Sequence, residues 1–275
     1  FLAVKITTLP TEGNLTLEDA TGLRPQRLGA GDVLILPDGG THLLHEGGHG
    51  KLAAIRSRAG GNVTIHENGG SGERFDMLCG RFLVSVAHIR LLRSYLPPRL
   101  VIRRNADGSG EAGVQLGTVI DLMRREVAAE NLGGRALLNA LSAALFAISL
   151  RSATEVRDVP AGLLALARHE RLAPALAAIF NQPARNWTLP ELAGICHMSR
   201  ATFARHFQKS LGRSAMELLT DMRVVLAAAE LKKPGASTAA VAGLAGYQSD
   251  AAFQRVFKQR MGVTPARWRK THEAF

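Results

Sequence analysis

Residues 199–219, SRATFARHFQKSLGRSAMELL, and residues 246–270, GYQSDAAFQRVFKQRMGVTPARWRK, carry one pattern twice, fifty positions apart. The identical positions of the two copies are Thr188/Thr238, Ser199/Ser249, Ala201/Ala251, Phe203/Phe253, Arg205/Arg255, Phe207/Phe257 and Gly212/Gly262. A repeat at a fixed period indicates one supersecondary unit used twice. The fold of the C-terminal half therefore depends on what a single copy can form.

Each copy predicts two short helices joined by a tight turn, which is the arrangement of a helix-turn-helix. Ser199 and Ser249 can cap the second helix of each copy by accepting hydrogen bonds from its first N–H groups. Gly212 and Gly262 can end the same helices in the left-handed conformation. Thr188 can cap the first helix. The predicted helices are 189–195 and 200–211 in the first copy, and 238–245 and 250–261 in the second.

The second helix of each copy has one apolar stripe and one small, basic face. Phe203, Phe207 and Leu211 recur every fourth residue, as do their counterparts in the second copy, so this stripe is predicted to be buried. Small residues let a helix enter the major groove of DNA, where arginine can pair with guanine and glutamine with adenine. The opposite faces comprise Arg200, Ala201, Ala204, Arg205 and Gln208 in the first copy, and Asp250, Ala251, Gln254, Arg255 and Lys258 in the second.

Residues 215–232 connect the two copies and are strong helix formers. A helix of roughly eighteen residues is about 27 Å long. Two reading helices separated by such a rod could enter successive major grooves, which lie about 34 Å apart on one face of the duplex.

These residues resemble the paired helix-turn-helix units of the AraC/XylS family of bacterial transcription regulators. The resemblance covers residues 163–270 approximately and combines a specific motif with the internal duplication. It implies base contacts from Arg200, Ala201, Ala204, Arg205, Asp250, Ala251, Gln254 and Arg255. Further cations suit the phosphates of the same duplex, or serve only as solubilising charge: Lys209, Arg213, Lys258, Arg260, Arg267 and Lys270.

Arg205 and Arg255 are the strongest candidates for base contacts, with a phosphate contact or a solvated face as the alternative. The three alanines of the reading faces can contact thymine methyl groups. Asp250 could accept a hydrogen bond from cytosine, but stabilisation of the helix N-terminus is the favoured role.

The positive charge is concentrated in the repeat-containing half of the chain. Residues 160–275 contain sixteen Lys and Arg against seven Asp and Glu, whereas residues 1–159 contain eighteen against sixteen. This asymmetry predicts a polyanionic partner and steeply salt-dependent binding.

The two cysteines, Cys79 and Cys196, exclude a disulfide framework and suit a reducing bacterial cytoplasm. The most apolar run, residues 137–150, is too short for a membrane span and predicts a buried helix or a subunit interface. No membrane partner is expected. The chain begins at Phe1 inside an apparent strand, so we expect further residues to precede it.

Residues 1–104 alternate short apolar runs with glycine-rich turns, which predicts strands in a sandwich or barrel. Gly31, Pro37, Gly39 and His42 have the spacing of the second cupin motif, and this segment resembles a small jelly-roll barrel able to hold one small ligand. The predicted fold class is α+β, with an N-terminal cupin-like β-barrel and helical hairpin before a C-terminal all-α double helix-turn-helix.

A metal site is another interpretation of this barrel. His42, His45 and His49, with Glu46 and His66, could supply ligands. However, His42 and His45 have an odd spacing and would point to opposite faces of a strand. We therefore expect no metal, no other cofactor and no catalysis, and we expect His42 to contact the effector or the turn. A cupin metalloenzyme fused to a DNA-binding domain is the alternative.

Cys79 lies in an apolar, strand-like run, where a buried small hydrophobe is its expected role. Arg74 and Arg81 could instead lower the pKa of its thiol and make Cys79 an oxidation sensor. The segment resembles the sensor domain of one AraC-family branch, some of whose members respond to reactive oxidants. Cys196 occupies the turn of the first repeat and is expected to pack there.

Helical periodicity begins after residue 113. Residues 114–131 place Val114 on the apolar stripe of a first helix, and residues 135–152 are apolar around most of a second. A helix of the latter kind needs partners on several sides. The barrel and a second copy of the chain would meet this need, which predicts a homodimer through 114–152. Two core helices of a monomer are the alternative.

The predicted organisation is a sensor barrel (1–104), a dimerisation hairpin (105–152), a linker (153–160) and a DNA-binding domain (161–275). Within the last, one helix over 161–181 is expected to pack on the repeats, and Trp187 is expected in the core. We interpret the chain as a transcription factor that binds double-stranded promoter DNA and responds to a small molecule or oxidant. An architectural protein that binds DNA without sequence preference is the remaining alternative.

Overall fold

The chain folds into two compact units, one formed by residues 1–83 and 97–157 and the other by residues 84–96 and 158–275. They are called the cupin unit and the helical unit below. The computed structural model describes residues 2–8, 15–19, 24–29, 31–37, 42–45, 55–60, 63–68, 76–82, 86–103, 111–129, 131–155 and 162–272. His49, Glu46, Arg74 and most of the predicted linker lie outside the described residues.

Within the described ranges, the strands of the cupin unit form three antiparallel sheets. Their bounds are β1 Leu2–Thr8, β2 Leu15–Asp19, β3 Gln26–Leu28, β4 Val33–Leu36, β5 His42–His45, β6 Ile55–Gly60, β7 Val63–Asn68, β8 Asp76–Phe82 and β9 Leu100–Ile102. The sheets have the strand orders β8-β1-β4-β9, β3-β2-β5 and β6-β7. The predicted strands are confirmed, whereas closure of these sheets into a barrel stays a prediction.

β4 lies inside the four-stranded sheet, between β1 and β9. All four of its residues are buried, which explains why this strand reads as a continuous apolar run rather than an alternating one. Its entry turn is held by Asp32, whose carboxylate accepts hydrogen bonds from the Gly29 backbone N–H (2.8 Å) and from the Arg103 guanidinium (2.7 Å). Gly31 adopts a φ of 78° in this turn.

Two long helices, α2 (Glu111–Ala129) and α3 (Gly134–Glu155), form an antiparallel hairpin in the cupin unit. Leu116, Ile120 and Met123 form the buried stripe of α2. Val114 was expected on that stripe but is 59% exposed, because it lies nearly half a turn away from Leu116. The hairpin therefore forms as predicted, with a shifted apolar face.

The prediction that no apolar segment is long enough to cross a membrane was wrong for α3. Gly134–Thr154 meets that condition by length and composition. A single helix of this kind is weak evidence of a span, since apolar core or interface helices of water-soluble proteins have the same composition.

The helical unit contains a helix that comes from the N-terminal half of the sequence. Its helices are α1 Val86–Tyr95, α4 Leu163–Arg168, α5 Ala173–Asn181, α6 Leu189–Ile195, α7 Arg200–Leu211, α8 Ala215–Glu230, α9 Thr238–Leu244, α10 Asp250–Met261 and α11 Pro265–His272. Residues 84–96 were predicted to belong to the barrel, but α1 packs against α8. Its buried residues Ala87 and Tyr95 belong to the cores of this unit.

The single helix expected over 161–181 is two helices. α4 ends at Arg168, and α5 begins at Ala173 with Pro174 in its first turn. Proline lacks the N–H that a continuous helix needs, so it favours a new helix start at this point. The break turns Leu172 into the core, where it is fully buried.

Two hydrophobic cores share α8. The first surrounds Phe203, Phe207 and Trp187, and the second surrounds Phe253, Phe257 and Trp268. α8 contributes its N-terminal half to the first core and its C-terminal half to the second, through Leu218, Leu219, Val224, Val225 and Ala228. The predicted core position of Trp187 is confirmed, and α8 is about 24 Å long at its sixteen residues.

The predicted caps of the repeat helices are confirmed. The Ser199 and Ser249 side chains accept hydrogen bonds from the N–H groups of Thr202 and Ala252. Thr188 forms a capping box with Glu191, and the backbone hydrogen bond from Thr188 lowers the pKa of the Glu191 carboxyl. Gly212 and Gly262 end α7 and α10 at φ values of 80° and 77°, which favour glycine. Local signals thus set both ends of each reading helix.

Candidate nucleic-acid interface

Each reading helix follows a tight turn that is closed by a backbone hydrogen bond. In the first copy the Met198 N–H donates to the Ala193 carbonyl at 3.0 Å, and in the second the Tyr247 N–H donates to the Ala242 carbonyl at 2.9 Å. The left-handed residue is His197 (φ 52°) in the first turn and Gly246 (φ 81°) in the second. The second turn is one residue longer because α9 ends at Leu244, before the predicted Ala245.

The faces of α7 and α10 that were predicted to read bases are on the surface. Arg205 and Arg255 are exposed, whereas the phenylalanines of both helices are fully buried. Within the part of the chain that the structure describes, no hydrogen bond or ion pair engages either arginine. Exposed positions also include Arg200, Ala201, Gln208, Asp250, Ala251, Gln254 and Lys258, and Ala204 is partly buried.

Asp250 holds a neighbouring side chain of the same reading face. Its carboxylate accepts a hydrogen bond of 2.6 Å from the Gln254 amide, one helical turn along α10. This bond uses only the amide nitrogen of Gln254, so its amide oxygen can still accept a hydrogen bond. Asp250 also lies in the first turn of α10, where a negative charge is stabilising.

Arg213 and Arg260, two of the predicted phosphate-binding cations, form ion pairs with a carboxylate of the same chain. Asp221 on α8 lies 3.1 Å from the Arg260 guanidinium and 3.8 Å from that of Arg213. The Tyr95 hydroxyl donates to the same carboxylate at 2.5 Å. Burial and this hydrogen bond raise the pKa of Tyr95. Lys209, Lys258, Arg267 and Lys270 are exposed. Phosphate contacts of all six cations stay a prediction.

Arg223 joins the segment before the first copy to the turn of the second. Its guanidinium donates to the carbonyls of Pro183 and Arg185, both at 2.9 Å, and to the Asn186 side chain at 3.3 Å. It also lies 5.7 Å from the centre of the Tyr247 ring. Burial lowers the pKa of this guanidinium. Tyr95, Asp221 and Arg223 were not predicted as functional residues. Tyr95 and Asp221 are 126 residues apart, the hydrogen-bond partners of Arg223 lie 37 to 40 residues before it, and no local motif marks these pairs.

The two sensor candidates, His42 and Cys79, lie on different strands of the cupin unit. His42 is the first residue of β5, in register with Asp19 of β2. Cys79 lies on β8, in register with Lys5 of β1. Cys79 is exposed, so its predicted burial was wrong, whereas Cys196 is buried as predicted and burial raises the pKa of its thiol.

The candidate metal ligands are not brought together where they can be described. His66 lies on β7, and its Nδ1 is 2.8 Å from the Ser57 hydroxyl. Among the residues that the structure describes, no three His, Cys, Asp or Glu side chains are grouped to hold a metal ion.

Two family models match the chain. One, described as cupin, matches residues 7–155, and the other, described as a helix-turn-helix domain, matches residues 192–271. The first covers more than half of the chain and the second contains both reading helices.

Relatives of known class match most of the chain. The chain is 32% identical over 243 residues to an uncharacterized HTH-type transcriptional regulator of Haemophilus influenzae. The matched region covers 88% of this chain and 78% of that protein. It is 30% identical over 225 residues to a Streptomyces antibioticus protein described as AraC-like, covering 80% and 73%. The solved DNA-binding domain of AdpA in complex with a target DNA is 30% identical, with a TM-score of 0.36, covering 38% of this chain and 94% of that chain. The chain belongs to the AraC family of HTH-type transcriptional regulators and carries a cupin domain before its DNA-binding domain.

Proposed function

We propose that this regulator binds a specific promoter sequence by placing α7 and α10 in successive major grooves of one duplex. The observation that carries the proposal is the duplicated pair Arg205 and Arg255, which are exposed at equivalent positions of two capped helices and have no hydrogen-bond or ion-pair partner among the described residues. Arginine at such a position can form a bidentate pair with guanine. α8 packs in both hydrophobic cores and so connects the two reading helices through a single helix.

Selection of bound duplexes from a random-sequence pool tests this function. We expect an enriched site with two conserved blocks separated by about one helical turn. Recovery of unenriched sequence would instead identify an architectural protein that binds by charge and shape alone.

Arg255→Ala is expected to weaken binding to the selected site by about 1–3 kcal/mol and to relax base preference at one position of the second block. The reason is loss of a bidentate base contact. Binding isotherms on the selected duplex and on its single-base variants measure both effects.

Lys258→Ala is the matched control on the same helix. If Lys258 contacts a phosphate, Lys258→Ala should weaken binding to all duplexes alike. It should also reduce the slope of the logarithm of the binding constant against the logarithm of the salt concentration by about 0.9. If Arg255→Ala behaves in the same way, Arg255 contacts a phosphate rather than a base.

We further propose that two copies of the chain associate through the helical hairpin of the cupin unit. Leu137 of α3 and Leu122 of α2 are exposed, as is a run of alanines on α3 formed by Ala140, Ala143, Ala144 and Ala147. Exposed apolar surface on a helix pair fits a partner helix pair. Sedimentation of the full chain measures the oligomeric state.

The effector is proposed to act at the cupin unit, as a small molecule or an oxidant, in the cytoplasm where promoter DNA is found. The exposure of Cys79 supports the oxidant, since reaction requires access to the thiol. Cys79→Ser should abolish any change in operator affinity on treatment with hypochlorous acid, and Cys196→Ser should leave the change intact. An unchanged oxidant response in Cys79→Ser would favour a small-molecule effector.

A further inference from the structure

α1 contacts both cores of the helical unit although it lies between two strands of the cupin unit in sequence. Ala87 near its start belongs to the second core, and Tyr95 at its end belongs to the first. Leu91, midway between them, packs against both cores. α1 therefore crosses from one helix-turn-helix to the other along α8.

Polar contacts reinforce this crossing at the point where the two copies meet. The Tyr95 hydroxyl donates to Asp221, which is paired with Arg260 beyond the middle of α10. The Arg90 guanidinium donates to the Arg260 carbonyl at 3.0 Å. The Arg213 guanidinium, just after α7, lies 5.4 Å from the centre of the Tyr95 ring. α1 thus donates a hydrogen bond to the C-terminal end of α10, and on the first copy it contacts Arg213, two residues after the end of α7.

The end of α1 is fixed by a close backbone approach. A Cβ atom on Gly162 would lie 2.8 Å from the Tyr95 carbonyl oxygen, so this contact requires glycine. The Gly162 N–H donates to the Ser210 carbonyl of α7 at 2.9 Å. The contact therefore connects Tyr95 to the first reading helix through backbone atoms alone.

From these contacts we propose that α1 is a brace that sets the relative position of the two reading helices. Tyr95 and Arg90 are its positioning residues, and they act without touching DNA. The proposal rests on the proposed two-groove function. A protein whose readers are held at the spacing of the operator binds more tightly, because less of its population must be reorganised on binding.

Tyr95→Phe tests the brace, because it removes the hydroxyl bond to Asp221 and keeps the ring in the first core. Affinity for the selected two-block duplex should fall by up to about tenfold, because a hydrogen bond to a charged group is lost from the arrangement that binds both blocks. Affinity for a duplex with only one block intact should change less than about twofold. Ser94→Ala, on the exposed side of the same helix, is the matched control and should change neither affinity.

A measurement without DNA separates the brace from the proposed function. Spin labels at the equivalent exposed positions Lys209→Cys and Gln259→Cys, in a Cys79→Ser background, report the distance between α7 and α10. The protein without the Tyr95 substitution should give a narrow distance distribution, and Tyr95→Phe should broaden it. An unchanged distribution in Tyr95→Phe overturns the brace, as does equal weakening on one-block and two-block duplexes. If the second block adds nothing to binding by the unsubstituted protein, the two-groove function fails while the distance measurement still decides the brace.

Discussion

Gly246→Ala is expected to destabilise the second helix-turn-helix by more than about 3 kcal/mol. A Cβ atom at this position would lie 2.2 Å from the carbonyl oxygen of Ala184 and 2.9 Å from its carbonyl carbon. Both atoms belong to backbone and cannot rotate away. The left-handed φ of 81° adds about 1–2 kcal/mol of strain for a non-glycine residue.

Gly262→Ala separates these two costs. Gly262 has nearly the same φ, 77°, but an added Cβ would meet no atom of the described residues within 4 Å. It should therefore lose only the conformational part, about 1–2 kcal/mol. Urea unfolding of the full chain, followed by tryptophan fluorescence, measures both variants, since Trp187 and Trp268 lie one in each core. Equal losses in the two variants would show that the segment carrying Ala184 yields without cost.

Arg223→Ala is expected to cost about 2–4 kcal/mol of stability. It should also loosen the junction between residues 183–186 and the turn of the second copy. The substitution leaves the Pro183 and Arg185 carbonyls without their guanidinium donor, and a hydrogen bond to a charged group contributes about 1.5–3 kcal/mol. Binding to the selected duplex should weaken as well, because Arg223 connects the segment before the first copy to Tyr247 in the turn of the second. Urea unfolding and binding isotherms measure the two effects.

Arg223→Lys is the control that distinguishes geometry from charge. Lysine keeps the positive charge but cannot donate two bonds from a planar fork. We expect this variant to recover less than half of the lost stability. Full recovery by lysine would mean that charge near the Tyr247 ring, rather than the paired donors, holds the junction.

The sequence predicts the reading helices closely because their signals are local. A serine cap, phenylalanines at every fourth position and a closing glycine lie within fourteen residues, and α7 and α10 have the predicted bounds. The split between α4 and α5 was missed, although Pro174 marks it, because the apolar pattern continues across the break. Exposure of Arg205 and Arg255 followed from the same periodicity.

The contacts that position the readers could not be predicted in this way. Tyr95 and Asp221 are 126 residues apart, and Arg223 reaches a segment about forty residues earlier. No sequence spacing indicates such pairs. Likewise, the apolar run around Cys79 predicted burial, but the residue is exposed on β8. Alternation along a strand fixes which residues share a face, and only the packing of neighbouring elements determines which face meets solvent.

The helical unit, which contains the matched helix-turn-helix domain, is discontinuous along the chain. Leu91 and Tyr95 fill places in its cores, so a fragment starting near residue 158 would expose an apolar groove along α8 where they had packed. Both ends of α1 continue into β8 and β9, the two outermost strands of one sheet. Genetic exchange of this domain between regulators would consequently have to carry an internal piece of the donor's cupin domain along with it.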